Sequence, residues 1–149
     1  MRLEKIVAQV IEEYPNIKEA KAGIKIDSPL LPVRAHEPLL VQCLSNLLGN
    51  AVKFVAPGTA PDVRLWTERK SPEVRLWVED HGIGIAPEEQ RKLFTLFSRV
   101  GDPRQYEGTG VGLAIVQRGV SRMGGTVGVE SEMGKGSRFW IQLAAAEEH

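Results

Sequence analysis

One cysteine in 149 residues leaves no partner for an internal disulfide, and a reducing compartment is the simpler setting for such a chain. Cys43 lies among Leu40, Leu44 and Leu47, where a small buried thiol is expected rather than a nucleophile. The histidines, His36, His81 and His149, are scattered, so no metal-ligand spacing arises. Long apolar runs are missing too. Nothing approaches the ~20 apolar residues of a membrane span, and the N-terminus has no run suited to a signal peptide. If a longer parent is membrane-anchored, the anchor lies outside this piece. Net charge is also absent: nineteen basic residues balance nineteen acidic ones. That balance gives no electrostatic case for nucleic acid or an acidic membrane as partner. There is no repeat and no low-complexity linker.

What remains is an ordinary globular composition, 42% hydrophobic and 26% charged, in a chain the size of one domain. Leu3, Ile6, Val7, Val10 and Ile11 recur at helical spacing until Pro15 stops or kinks the run. A short strand is expected over Ile24 to Ile26, ending at the Ser28-Pro29 turn. A longer helix should start near Glu37-Pro38 and run to Val55, closed by Pro57-Gly58. Alternating runs Val63 to Glu68 and Val74 to Asp80, split by Lys70-Ser71-Pro72, read as a β-hairpin. A short helix from Pro87 to Phe97 and a mobile loop from Ser98 to Gly110 follow. A third long helix should span about Val111 to Met123, ended by Gly124-Gly125. Strands Thr126 to Ser131 and Ser137 to Leu143 flank the Gly134-Lys135-Gly136 turn. The expected fold is α+β, a two-layer α/β sandwich with a mixed sheet and helices on one face. One domain should cover residues 1–143, with residues 144–149 as a tail.

Three places suggest chemistry. Asn46, Asn50 and Lys53 are spaced four and three apart, so at ~100° per residue they share roughly a 60° arc of the 37–55 helix. Gln42 extends the stripe, and Leu40, Leu44, Leu47, Leu48, Ala51 and Val55 lie on the opposite side. A solvated stripe would usually carry Glu and Lys; amides and one ammonium can instead offer an oxygen to magnesium and a charge to phosphate. Second, strand parity puts Asp80 of Asp80-His81-Gly82-Ile83-Gly84 on the inward face with Val74, Leu76 and Val78. A buried carboxylate needs a donor. Adenine's exocyclic amino group is one, and guanine would present a carbonyl there; a turn-capping Asp is the competing explanation. Third, Gly108-Thr109-Gly110-Val111-Gly112-Leu113 opens a helix whose N-terminal N–H groups suit phosphate. This spacing matches neither a dinucleotide fingerprint nor a P-loop.

The order N-L-L-G-N-A-V-K-F (46–54), D-H-G-I-G-I (80–85), F-T-L-F (94–97), G-T-G-V-G-L (108–113) and G-K-G-S-R-F (134–139) closely resembles the motif series of bacterial sensor histidine kinases. The resemblance covers roughly residues 1–143 and implies their gyrase-type ATP-binding sandwich, with ATP and Mg2+ as cofactors. It implies that Asn50 coordinates magnesium with Asn46 in support, that Lys53 contacts phosphate, and that Asp80 holds the adenine amino group. Gly82, Gly84 and Ile85 would pack near the base, and Phe94 and Phe97 would anchor a lid. Arg99 would meet the terminal phosphate. Gly108, Thr109, Gly110, Gly112 and Leu113 would line the phosphates, and Ser137 would lie near the adenine. His36 departs from the aspartate the family often has at the start of this helix, and reads as a cap variant. His81 sits at a variable position beside the base and is expected to face solvent.

Asn46 cannot act as the carboxylate base that a hydrolase wants for its water, which fits transfer to a histidine better than fast hydrolysis. The acceptor segment, a helix with a histidine followed by an acidic residue, has no counterpart before Asn46. His36-Glu37 has the letters but opens the ATP-site helix itself. The expected partners are therefore the dimerisation and phosphoacceptor helices of a parent kinase and, indirectly, a response regulator. No nucleic acid or membrane contact is expected. The isolated chain should be a cytoplasmic monomer that binds nucleotide with little autophosphorylation. Rival readings are a gyrase- or chaperone-like ATPase module, a serine kinase of the anti-sigma-factor type, and a module without transfer activity. Parity also places Trp66, Trp77 and Trp140 together on the sheet's outer face, either as cross-strand pairs or as a docking patch.

Overall fold

The computed structural model describes residues 2–27, 29–53, 60–81, 109–132 and 136–146. Helix α1 spans Leu3–Glu13 and buries its whole apolar stripe, Leu3, Ile6, Val7, Val10 and Ile11. Pro15 ends α1, having no N–H to donate, but it does not end helical structure. It occupies the first turn of a second short helix, α2, Pro15–Glu19, a position where a missing N–H costs nothing. Ile17, 1% exposed, ties α2 to the core. A 3-10 turn, Lys21–Gly23, leads into strand β1, Ile24–Ile26.

Helix α3 runs Glu37–Lys53, and its first backbone hydrogen bond goes from Leu40 N to His36 O at 2.9 Å. The expected continuation to Val55 and the Pro57-Gly58 stop lie outside the described residues, as do Ser28, the 87–97 helix, the 98–108 loop and the Gly134-Lys135 part of the last turn. Strands β2, Val63–Lys70, and β3, Glu73–Asp80, form the hairpin; it is tighter than expected, with only Ser71-Pro72 at the turn. Helix α4 covers Thr109–Arg122, starting two residues before the expected Val111. Strands β4, Thr126–Glu132, and β5, Gly136–Ala144, complete the sheet.

The sheet order is β1-β2-β3-β5-β4. The β1–β2 pair is parallel and the others are antiparallel, giving the mixed sheet. Val63, Leu65, Val74, Leu76, Val78, Phe139, Ile141 and Leu143 form one core with Leu40, Leu44, Leu47, Leu48 and the α1 stripe. Helices thus cover one face of the sheet. Beyond β5, Ala145 N donates to Pro72 O at 3.0 Å, and Arg34 N donates to Ala144 O at 2.8 Å, tying the segment before α3 to the sheet.

On the opposite face Trp66, Trp77 and Trp140 stand in one cross-strand row. The rings of Trp66 and Trp77 stack at 5.8 Å and 11°. Arg75 lies over Trp140 at 3.8 Å and over Trp77 at 5.5 Å. Trp77 Nε1 donates to Glu68 Oε1 at 3.2 Å. Trp77 is only 7% exposed, with no helix over it among the described residues, because its own neighbours cover it. This is the cross-strand pairing arrangement, each pair contributing about 0.5–1 kcal/mol.

Candidate functional site

Three elements carry the polar groups. Helix α3 packs against both β3 and α4. Its buried side, Leu40, Cys43, Leu44, Leu47, Leu48 and Ala51, is fixed in the core, which leaves the half-buried Asn46 and Asn50 turned away from it. Asn46 Nδ2 donates to Gln42 O at 2.9 Å, committing the nitrogen and leaving the amide oxygen to face other groups. Asn50 Nδ2 is buried with no hydrogen-bond partner. Buried polar atoms are nearly always paired, so an orphan on this stripe marks a position built for something else. Lys53 is the last residue of α3.

Asp80 ends β3 and is 8% exposed, on the inward side as parity requires. It pairs in register with Ser137 of β5, itself 6% exposed, and Ser137 N donates to Asp80 Oδ1 at 3.3 Å. The carboxylate therefore lies inside the domain with a backbone donor on one oxygen. Next to it, His81 is exposed, as expected. Its Nδ1 lies 3.1 Å from Asp62 Oδ2 and its Nε2 3.7 Å from Glu79 Oε1, while Arg138 Nε donates to Glu79 Oε2 at 2.5 Å. This polar cluster around the end of β3 was not anticipated; Asp62 and Arg138 are far in sequence from Glu79 and His81, and the strand register brings them there.

Thr109, Gly110, Gly112 and Leu113 lie in the first turns of α4, whose N-terminus exposes the backbone N–H groups that attract anions. Cys43 Sγ contacts Val116 O of α4 at 3.7 Å. Burial pushes its thiol up to about 11, so it is inert at neutral pH, in keeping with a packing role. A Cβ on Gly119 would stand 2.8 Å from Cys43 Sγ, so α3 and α4 approach closely because that position has no side chain. Of the expected site residues, Gly82, Gly84, Ile85, Phe94, Phe97, Arg99 and Gly108 lie outside the described residues. The structure joins Asp80 to Ser137 at the β3–β5 pair and carries Asn46 and Asn50 on α3, which packs against β3 and α4.

Residues 35–147 match the family described as "Histidine kinase-, DNA gyrase B-, and HSP90-like ATPase". The sensor histidine kinase AruS of Pseudomonas aeruginosa is 47% identical over 120 residues, covering 76% of this chain and 12% of that relative. The sensor histidine kinase RppB of Synechocystis is 36% identical over 147 residues, covering 95% of this chain and 32% of that relative. Among solved structures, the mycobacterial sensor histidine kinase MprB superposes with a TM-score of 0.80 at 25% identity, covering 99% of both chains. Full-length ShkA in complex with AMPPNP superposes with a TM-score of 0.76 at 37% identity, covering 99% of this chain and 31% of that one. The chain belongs to this ATPase family, as a catalytic domain of the sensor histidine kinase type. It spans 12% of AruS and 32% of RppB, a fraction of the length of these curated relatives.

Proposed function

We propose that this chain binds Mg–ATP and donates its terminal phosphate to a histidine on separate phosphoacceptor helices, as one step of two-component signalling. The observation that carries the reading is the buried Asp80 carboxylate, held at the end of β3 by the Ser137 N–H, beside a helix bearing an orphaned amide. A buried acceptor of that kind suits the adenine amino group and rejects the guanine carbonyl. Asn50 fits magnesium chemically, since half a turn of its amide puts the oxygen where the orphaned nitrogen stood, and Asn46 keeps its amide oxygen available while its nitrogen bonds Gln42 O. Among the described residues no group of three or more His, Cys, Asp or Glu is placed to hold a metal ion. The remaining ligands of such an ion would be phosphate oxygens and water, the usual arrangement for magnesium.

Bound magnesium would supply charge neutralisation on the phosphates. The chain's own residues do the rest of the work. Asp80 with Ser137 fixes the base, and Lys53 with Arg99 offers positive charge to the phosphates. The N-terminus of α4, from Gly108 through Thr109, Gly110 and Gly112, offers backbone donors. Asn46 supports the ion's surroundings without serving as a base, so water is not activated and the imidazole acceptor, already a nucleophile, takes the phosphoryl group. The chain would act as a monomer in the cytoplasm, on acceptor helices supplied by its parent.

The test uses ATP labelled at the γ-phosphate with the purified dimerisation and phosphoacceptor domain of AruS, the relative 47% identical to this chain. Acid-labile, alkali-stable label on that domain, absent without this chain, is the expected result. Acid-stable label would point to a serine kinase, and phosphate release without labelled protein to an ATPase module.

A further inference from the structure

Gly136 opens β5 with φ of 97°, in the left-handed region that side chains disfavour. A Cβ there would stand 2.1 Å from Asp80 O, 2.9 Å from Asp80 C and 2.9 Å from His81 Cα. All three are backbone atoms, which cannot rotate away as a side-chain tip can. The end of β3 has little room to retreat. His81 N donates to Asp62 O at 3.3 Å, the His81 ring lies against Asp62 and Glu79, and Arg138 holds Glu79 from β5. The next residue after Gly136 is Ser137, whose N–H reaches Asp80 Oδ1 at 3.3 Å. That bond is already at the long end for N–H···O, so a displacement of a few tenths of an ångström would break it.

We infer that Gly136 is a specificity-positioning residue: its bare, left-handed backbone sets β5 flush against the Asp80 carbonyl and so aims the Ser137 N–H at the Asp80 carboxylate that reads the base. The inference rests on the reading of Asp80 as the adenine-binding residue. Gly136 touches no substrate and acts through Asp80. With a side chain at 136, β5 must move off β3, the Ser137 N–H no longer reaches the carboxylate, and recognition of the adenine amino group is what suffers. Contacts to the phosphates, made from α3 and α4, stay in place.

The experiment compares the affinities of ATP and of purine riboside triphosphate, which lacks the exocyclic amino group, for the wild-type chain and for Gly136→Ala. A hydrogen bond to a charged group is worth about ten- to a hundred-fold in affinity, so wild type should prefer ATP by at least about ten-fold. Gly136→Ala should lose ATP affinity by a similar factor while the analogue binds unchanged, so the ratio falls toward one. A merely structural role would weaken both nucleotides equally, and a ratio equal to that of wild type overturns the inference. If wild type itself shows no preference, the Asp80 reading fails instead. Should Gly136→Ala not fold, Gly136→Asn keeps the left-handed backbone and retains the clash, and the same ratio is read there. A further readout on wild type needs no variant: the Ser137 amide should exchange more slowly with ATP bound than with the analogue bound, and equal protection contradicts the inference.

Discussion

Replacing Gly119 by alanine puts a methyl group 2.8 Å from the sulfur of Cys43, across the contact that joins α3 to α4. Comfortable non-bonded contact is about 3.5–4.0 Å, so one helix must give by most of an ångström. Overpacking of this kind costs about 1–3 kcal/mol, while alanine in place of glycine in a helix gains about 1 kcal/mol. The net loss expected is about 1 kcal/mol, or about 2–4 °C in Tm for a domain of this size. The partner substitution Cys43→Ala removes the obstructing atom and by itself costs about 1 kcal/mol for the vacated space. In the double variant the new methyl occupies the room the sulfur left, so the two losses do not add. Urea unfolding of the four proteins, with equal m-values, should give a coupling of about 1–2 kcal/mol in favour of the pair. Additivity within about 0.5 kcal/mol would refute the claim that these two helices meet through Gly119 and Cys43.

Other expectations follow from the same structure. The Cys43 thiol ordinarily ionises near 9.0 but only at about 11 when buried, so its contribution to stability is complete below pH 9 and is lost as pH rises to 11. Relative to Cys43→Ala, wild type should lose stability across that window, on the order of 2–3 kcal/mol in all, in denaturant titrations. An equal slope in both proteins would contradict the assignment. Trp77→Ala should cost about 3 kcal/mol, because this 7% exposed ring lies within the outer-face row, while half-buried Trp66→Ala should cost clearly less; thermal melts rank the two. Asp80→Asn should keep the fold by circular dichroism and lower ATP affinity by about ten-fold or more.

Much of this was readable in the sequence because it is periodic. The α1 stripe, the buried side of α3 and the alternation of β2 and β3 each state which side chains go inward, and parity then carries Asp80 inside and the tryptophans outside. What was not readable depends on distant parts meeting. Pro15 announces the end of α1, but that a helical turn resumes at once follows from Ile17 finding a place in the core. The parallel seat of β1 beside β2 is set by the crossover, which three residues of strand cannot announce. Gly119 and Gly136 look like ordinary helix and turn glycines. Only the sulfur of Cys43 across one, and the carbonyl of Asp80 across the other, reveal why a side chain is excluded. The cluster of Asp62, Glu79, His81 and Arg138 is likewise a product of register.

The most direct test of an adenine-selective, magnesium-dependent site built from Asp80 and Asn50 is calorimetric titration of the purified chain with ATP, with and without magnesium, and with GTP. The account predicts ATP binding that responds to magnesium, and no measurable binding of GTP. Equal binding of the two nucleotides, or no ATP binding under either condition, would contradict it.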